Sequence, residues 1–241
     1  MPENPSVLVL VKDILGAAAA HRERLGRPYI TLTYAQSLDG SIALRPGRPL
    51  ALSCPESSAL THGLRAAHDA ILVGIGTVLA DDPRLNVRLA QGPDPQPVVL
   101  DSRLRTPLYV HLMADGRSPW IFAGQGAERS RQEALERAGA RVFRVPSNRA
   151  GMVDLPALLE QLGGLGVNSL MVEGGAQVIG SFLASRLVDQ MVLTIAPLLV
   201  GGLRVMDHVG NAVNGFPRLG RLSYQRLGDD LVLRGEPDWK D

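Results

Sequence analysis

The sequence has a single cysteine, Cys54, among its 241 residues. One cysteine excludes a disulfide-stapled scaffold and a cysteine-rich zinc site, and it fits a reducing cytoplasm. Charge of one sign is also lacking, because 25 Lys and Arg residues oppose 24 Asp and Glu residues. That balance gives neither the basic excess typical of nucleic-acid binding nor an acidic tail. We therefore expect a cytoplasmic protein that does not bind nucleic acid.

Long apolar runs are absent as well. The best candidate, VLVLVKDILGAAAA near the N-terminus, is interrupted by Lys12 and Asp13 and follows no basic segment. It is too short to span a bilayer and lacks the flanks of a signal peptide. We predict instead an amphipathic helix over roughly residues 11–25, within an N-terminal helical extension (1–27), and no membrane association.

Most familiar catalytic motifs are missing. Gly74-Ile75-Gly76 begins like a Rossmann fingerprint, but the third glycine does not follow. The chain has no Walker lysine, no metalloprotease helix and no serine-hydrolase elbow. Its five histidines (21, 62, 68, 111 and 208) are scattered, without the spacing of metal ligands. The sequence therefore predicts no metal site.

Apolar or β-branched runs alternate with helical patterns over most of the chain. This alternation indicates an α/β fold, with a mostly parallel central sheet and helices on both faces. The last strands have no convincing helix between them and predict an antiparallel C-terminal edge. We expect one domain, residues 28–241. The predicted strands are 29–35, 69–74, 97–101, 119–124, 140–145, 168–174, 188–197, 221–228 and 230–235, and the helices are 53–68, 128–138, 154–162 and 176–187.

Four polar stretches follow predicted strands. They are SLDG (37–40), TVLADDP (77–83), LDSR (100–103) and EGGAQ (173–177). Each alone is compatible with a simple turn, helix end or loop. Ligands of parallel α/β sheets bind outside the carboxyl ends of the strands, so the four together predict a shared cleft.

The paired glycines of MVEGGAQV (171–178) stand between a strand and a helix. Glycine lets the backbone approach a ligand closely, and a helix N-terminus offers free N–H groups to phosphate. A tight connection that merely packs well needs the same residues. The stretch alone is compatible with both.

Taken together, these stretches resemble the riboflavin-pathway pyrimidine reductase family. The resemblance extends from about Pro28 to Gly235 and is carried by YAQSLDG, VGIGTVLADDPRLNVR (73–88), VEGGAQVIGSFL and IAPLLVGG (195–202). It implies a dihydrofolate reductase-like fold and NADPH as cofactor. It also implies reduction of a phosphoribosylamino-pyrimidine to the ribitylamino compound, and a homodimer formed through the C-terminal strands.

One set of residues matches the cofactor positions of that family. The pyrophosphate-binding turn corresponds to Gly174, Gly175, Ala176, Gln177 and Val178. The other matches are Thr77, Asp81 toward a ribose hydroxyl, Ala35 and Ala51 beside the nicotinamide, Ser102 near the adenosine ribose and Val153 toward adenine. Arg103 beside Ser102, or the nearby Arg105, is suited to the 2′-phosphate of NADPH.

A second set matches the substrate positions. Arg65 and Arg88 match holders of the 5′-phosphate, and Glu173 is suited to the amino edge of the pyrimidine. Pro49 and Leu85 match positions where the backbone or an apolar edge meets substrate. Asp39 is a candidate for proton delivery, although it equally suits turning the chain with Gly40. Glu173 is the second candidate for a catalytic role.

The chain departs from many bacterial relatives at two lysine positions, where it has Thr33 and Leu198. The H-x-E and P-C-x-x-C motifs of a fused zinc deaminase are absent, which predicts a stand-alone reductase. Two alternatives stay open. One is a reductase of the same fold acting on another pterin-like or pyrimidine substrate, and the other is a dinucleotide-binding module without catalysis.

Overall fold

The computed structural model describes residues 6–114, 116–205 and 218–239, and its largest element is a nine-stranded sheet. His208 and residues 1–5 of the predicted extension lie outside these ranges. The strands are β1 (Tyr29–Ser37), β2 (Ser41–Arg45), β3 (Arg48–Pro49), β4 (Ala70–Gly74), β5 (Gln96–Leu100), β6 (Trp120–Gly124), β7 (Arg141–Val145), β8 (Ser169–Val172), β9 (Gln190–Ala196), β10 (Leu203–Arg204), β11 (Arg218–Leu227) and β12 (Asp230–Asp238). The helices are α1 (Val7–Leu15), α2 (Ala18–Leu25), α3 (Pro55–Ala67), α4 (Ile75–Asp81), α5 (Arg129–Arg137), α6 (Leu155–Gly164) and α7 (Ala176–Ala184), with a 3₁₀ turn at His111–Met113.

The main sheet has the strand order β11-β12-β9-β1-β8-β4-β5-β6-β7. The seven strands from β9 to β7 run parallel, and β12 pairs antiparallel with both β9 and β11. This confirms the predicted parallel sheet with an antiparallel C-terminal edge. β1 lies between β8 and β9, so the first strand of the chain is central in the sheet.

Helices cover both faces of this sheet. Alternate strand residues such as Leu32, Leu72 and Val172 pack under α6 and α7, where Leu159 and Phe182 are fully buried. The residues between them point the other way, toward α1 and α3 or toward α5. This alternation follows from the two-residue period of a strand. Within the described ranges, no helix has the length and apolar character needed to cross a membrane.

The predicted helix over 11–25 is wrong in its bounds, because two shorter helices occupy this segment. The first, α1, begins earlier, where the Ser6 hydroxyl accepts the Val9 N–H, and it ends at Leu15 with Gly16 as its C-cap residue. Glycine is unfavourable inside a helix by about 1 kcal/mol, so the segment breaks there. Val7 and Val11 are buried in a cluster that includes Leu64 of α3, and the extension therefore packs onto the domain.

A second sheet of three short strands, in the order β10-β2-β3, was not predicted from the sequence. Its strands are antiparallel, and β3 and β10 have only two residues each. Such strands bury too little to give an alternating pattern. This sheet places Pro49 in β3 and joins the segment after β1 to the segment after β9.

The C-terminal hairpin fixes the start of α3. Asp230 is buried at the beginning of β12, and its carboxylate accepts hydrogen bonds from the Cys54 N–H (2.8 Å) and the Ser57 hydroxyl. Cys54, the N-cap residue of α3, provides no side-chain cap of its own. A carboxylate from another part of the chain therefore caps this helix.

Candidate active site

The four polar stretches singled out in the sequence meet at one edge of the main sheet. They follow β1, β4, β5 and β8, which are neighbours in the order β1-β8-β4-β5 and run parallel. Their carboxyl ends therefore lie side by side, as the prediction of a shared cleft requires.

The helix α7 begins at this edge, directly after Gly175. The first hydrogen bond of the helical pattern is from the Ile179 N–H to the Gly175 carbonyl (3.1 Å). The amides of Ala176, Gln177 and Val178 precede it and have no acceptor within the helix. Gly175 also has no side chain with which to cap them. Free amides at the positive end of a helix suit a phosphate group.

The two glycines before α7 have different surroundings. A Cβ on Gly174 would stand 2.5 Å from the Val178 Cβ, whereas a Cβ on Gly175 would meet only the Thr77 hydroxyl, at 3.4 Å. Gly74, at the start of α4, is also packed against Val178. The Val178 side chain thus fills the gap between two glycines. Packing against Val178 explains why residues 74 and 174 are glycines. It does not explain Gly175, for which close approach of a ligand is the remaining reason.

Thr77 and Asp81 lie on α4, beside this turn. Thr77 is half-buried and adjacent to Gly175. Asp81 is an exposed residue in the last turn of the helix. Partial desolvation of its carboxyl raises the pKa of Asp81.

Arg65 and Glu173 form a bidentate ion pair. Arg65 Nε donates to Glu173 Oε1 at 2.8 Å and Nη2 donates to Oε2 at 2.6 Å, with side chains 13% and 17% exposed. Arg65 Nη1 also donates to the Asn86 carbonyl at 3.1 Å. Three of the five guanidinium N–H groups are therefore used within the protein. The pair raises the pKa of Arg65 against the effect of its burial.

Arg88 approaches the same place from the loop after α4. Its Nη1 donates to the Asn86 side-chain oxygen at 2.5 Å, and the residue is exposed. Asn86 thus contacts both arginines, one through its carbonyl and one through its side chain. The structure brings together Arg65, Arg88 and Glu173, the three charged residues of the predicted substrate site.

Leu85 is predicted to meet substrate through its backbone or an apolar edge, and the structure buries its side chain. Leu85 is 2% exposed and packs in the core cluster with Val78, and its backbone has a positive φ of 49°. The loop turns the side chain inward at this residue. Only the backbone of Leu85 remains available to a ligand.

Ser102 and Val153 meet at the far side of this edge. The Val153 N–H donates to the Ser102 hydroxyl at 3.0 Å, so two predicted adenosine positions are adjacent. The Val153 side chain is 4% exposed and belongs to the core, which leaves little of it to press on an adenine. Arg103 and Arg105 are both exposed next to them.

Asp39 connects the turn after β1 to the segment after β9. Its carboxylate accepts the hydroxyls of Ser37 (2.6 Å) and Ser41 (2.7 Å) and the N–H groups of Val200 and Gly201 (both 2.9 Å). These hydrogen bonds, with that from Ser37 the largest cause, hold the pKa of Asp39 well below its usual range. This geometry supports the turn-forming role, and proton delivery by Asp39 stays a prediction.

The remaining predicted positions lie along β1 and its neighbours. Thr33 is buried, and because Leu32 pairs with Val172, Thr33 lies level with Glu173. Ala35 pairs with Thr194 on β9, and Ala51 is exposed ahead of α3. The backbone carbonyl of Leu198 accepts the Leu38 N–H at 2.8 Å. Among the described residues, no group of three or more His, Cys, Asp or Glu side chains is arranged to hold a metal ion.

Sequence reasoning missed His62 and Asn86. His62 is three residues before Arg65 on α3, a spacing that places both on one helix face. That spacing was the signal available for His62. The sequence offers no comparable signal for Asn86, whose contact with Arg65 depends on how the loop returns to the helix.

Two curated relatives share much of this sequence. The 2,5-diamino-6-ribosylamino-4(3H)-pyrimidinone 5′-phosphate reductase of Methanothermobacter thermautotrophicus is 40% identical over 214 residues, covering 86% of this chain and 97% of that protein. The riboflavin biosynthesis protein RibD of Bacillus amyloliquefaciens is 33% identical over 228 residues, covering 92% of this chain. The chain spans 61% of the length of that relative.

Solved structures support the same relationship. The riboflavin biosynthesis reductase of Saccharomyces cerevisiae superposes with a TM-score of 0.70 at 30% identity, over 88% of this chain and 91% of that one. Dihydrofolate reductase from Enterococcus faecalis superposes with a TM-score of 0.50 at 14% identity, over 89% of this chain and 98% of that one, which supports the fold alone. The family described as RibD C-terminal domain matches residues 28–233. The chain belongs to the RibD C-terminal domain family, and its fold is of the dihydrofolate reductase type.

Proposed function

We propose that this protein uses NADPH to reduce a 5-phosphoribosylamino-pyrimidine to the ribitylamino compound. The observation that carries the proposal is the juxtaposition of Arg65, Arg88 and Glu173 beside the free amides of α7. One edge of the sheet thus offers guanidinium groups for a phosphate, a carboxylate for amino groups and a helix terminus for a second phosphate.

The described residues fit NADPH. The amides of Ala176, Gln177 and Val178 suit the pyrophosphate, and Gly175 has room on its outer side for a close approach. Asp81, exposed at the end of α4, would accept a hydrogen bond from a ribose hydroxyl. Ser102 and the exposed Arg103 suit the adenosine ribose and its 2′-phosphate. When bound, NADPH supplies a hydride for C1′ of the ring-opened ribosylamine.

The substrate contacts follow from charge and geometry. Glu173 is held at both oxygens by Arg65, so its remaining lone pairs have a fixed direction toward pyrimidine amino groups. Arg88 is exposed and is the stronger candidate for the 5′-phosphate. Arg65 adds positive charge with its two remaining N–H groups. Thr33 is buried at a position where the resemblance implies a lysine in many bacterial relatives, and the cation paired with Glu173 in this chain is Arg65.

The proposal includes a cytoplasmic homodimer formed through the C-terminal strands, without nucleic-acid or membrane partners. The strand β11 lies at the end of the sheet order, and its hairpin exposes Leu222, Tyr224 and Leu231. An apolar edge strand suits pairing with a second copy. Sedimentation of the protein at several concentrations tests this part.

An NADPH-oxidation assay tests the reaction. It offers the diaminopyrimidinone and the aminouracil forms of the ribosylamine phosphate, and each without its phosphate. Reduction of a phosphorylated form, with little turnover of its dephosphorylated counterpart, supports the proposal. Equal turnover of both points to another substrate for the same fold. NADPH binding without turnover of any form points to a dinucleotide-binding module.

A further inference from the structure

His62 of α3 is a buried residue that none of the predicted contacts uses. It is 5% exposed and lies one helical turn before Arg65. A buried histidine on a helix face often serves packing alone, so its hydrogen bonds decide whether it has a further role.

The ring of His62 accepts a hydrogen bond from the loop that carries the phosphate-binding arginine. The donor is the backbone N–H of Arg88 and the acceptor is His62 Nδ1, 3.0 Å apart. Accepting through Nδ1 requires a neutral ring with its proton on Nε2. A protonated ring has N–H groups at both positions and cannot accept this bond.

Two further bonds of this loop involve the site arginines. Arg65 Nη1 donates to the Asn86 carbonyl, and Arg88 Nη1 donates to the Asn86 side chain. The first places Asn86, and the second directs the Arg88 guanidinium. The bond to His62 holds the Arg88 backbone directly, next to the Val87 N–H, which donates to Asp94 Oδ1 at 2.6 Å.

We propose that His62 is a positioning residue for substrate phosphate, whose neutral imidazole holds the Arg88 backbone so that both arginines face the same anion. The proposal rests on the proposed function. It adds a residue that contacts neither substrate nor cofactor and acts through Arg88.

Three charged groups and one backbone carbonyl act on the ring. Arg65 lies on α3, Arg88 and the Asn86 carbonyl lie on the loop, and Glu173 follows β8. Burial and the two arginines lower the pKa of His62, while Glu173 and the Asn86 carbonyl act in the opposite direction. The ring is therefore neutral at neutral pH. In acid, protonation of His62 Nδ1 creates an N–H group that points at the Arg88 N–H and breaks the hydrogen bond.

Two substitutions separate hydrogen bonding from packing. His62→Leu removes the acceptor, whereas His62→Asn keeps an acceptor oxygen. The Leu variant should raise KM for the phosphorylated substrate between about threefold and tenfold, the range expected for one hydrogen bond. Its kcat, its NADPH affinity and its kinetics with dephosphorylated substrate should stay as in the wild type. The KM of the Asn variant should stay close to that of the wild type.

The pH dependence of KM provides a second measurement. Substrate phosphate itself loses its second proton near pH 6, so the wild type alone is ambiguous. The Asn variant experiences the same phosphate titration without a titrating side chain at position 62. As pH falls below 6.5, KM should therefore rise more steeply in the wild type than in the Asn variant. Coincident profiles contradict the proposal, and this comparison decides even if the Leu variant does not fold.

Amide hydrogen exchange tests the loop without any substrate. Peptides covering residues 84–90 should exchange faster in the Leu variant than in the wild type, and the Asn variant should resemble the wild type. Unchanged exchange in the Leu variant overturns the role of His62. A wild type that reduces no phosphorylated pyrimidine overturns the proposed function instead, and the exchange result still shows whether His62 holds the loop.

Discussion

Arg65 and Glu173 are 108 positions apart in the chain and share two parallel hydrogen bonds, Nε to Oε1 at 2.8 Å and Nη2 to Oε2 at 2.6 Å. This geometry holds the carboxylate in one orientation. It also indicates different roles for the two arginines of the site, because the Arg65 guanidinium is hydrogen-bonded to Glu173 whereas Arg88 is exposed.

The two arginines should therefore differ in kinetics. Arg88→Ala should lower kcat/KM for the phosphorylated substrate about ten- to a hundredfold, because it removes a charged contact to phosphate. Its activity with dephosphorylated substrate should not change. Arg65→Ala should lower kcat/KM for both substrates, because Glu173 loses the partner that orients it. Steady-state kinetics with the two substrates decide, and equal behaviour of the two variants contradicts this division.

Substitutions of Gly174 and Gly175 should have different effects. Gly175→Val should keep the fold and weaken NADPH binding about tenfold or more, because its side chain occupies the approach to the α7 amides. Gly174→Ala should instead lower the melting temperature, because its Cβ would stand 2.5 Å from the Val178 Cβ. Cofactor titration and thermal unfolding of both variants provide the test. Unchanged NADPH affinity in the Gly175 variant shows that this turn does not hold phosphate.

Cofactor choice should depend on one of two exposed arginines. Arg103→Ala should reduce NADPH affinity and leave NADH binding nearly unchanged, because only NADPH carries the 2′-phosphate. Arg105→Ala is the matched control, since it removes the same charge two residues away. Titration of each variant with both cofactors distinguishes them. A loss of NADPH affinity in the Arg105 variant alone would assign this role to Arg105. Equal losses of NADPH and NADH affinity would indicate a structural effect.

Replacement of Asp39 should affect folding more than chemistry. Asp39→Asn weakens the four hydrogen bonds that join Ser37, Ser41, Val200 and Gly201. The variant should melt at a lower temperature and lose less than about tenfold in kcat. A residue that delivers a proton typically contributes about a hundredfold or more. Loss of that size at an unchanged melting temperature would assign proton delivery to Asp39.

Stability should fall in mild acid because of His68. This buried ring is hydrogen-bonded to the Leu64 carbonyl and the Thr31 hydroxyl (both 2.7 Å), and burial lowers its pKa from 6.5 to about 4. Between those pH values the unfolded chain binds a proton that the folded protein does not, so the stabilisation present above pH 6.5 is lost toward pH 4. The loss is of the order of 3 kcal/mol.

Urea unfolding of the wild type and of His68→Gln over this pH range measures that loss. The glutamine variant should lose less stability on acidification. His21 and His62 also have lowered pKa values and contribute to the slope in both proteins, so only the difference belongs to His68. Parallel curves for the two proteins would contradict this role.

Much of the fold could be predicted from local pattern. The buried strands were located to within a few residues, because runs such as AILVG (70–74) are apolar throughout and are bounded by turn residues. The break at Gly16 was missed, because a helical periodicity continues across it. The small sheet was missed because its strands are too short for a pattern.

The residues of the candidate site were predicted from the family resemblance, but their contacts and burial depend on the tertiary structure. No local signal shows that Arg65 pairs with Glu173, because that pairing depends on α3 lying over the end of β8. The inward side chain of Leu85 depends on a positive φ that its type rarely adopts. The core position of Val153 likewise depends on packing from distant segments.

The position of β1 between β8 and β9 has a consequence for biosynthesis. This strand ends at residue 37, whereas its two neighbours begin at residues 169 and 190. On the ribosome, the apolar strand must therefore remain unpaired while most of the chain is still being made. Nascent chains will expose it to chaperones or to one another during this interval, and slower translation will prolong that exposure.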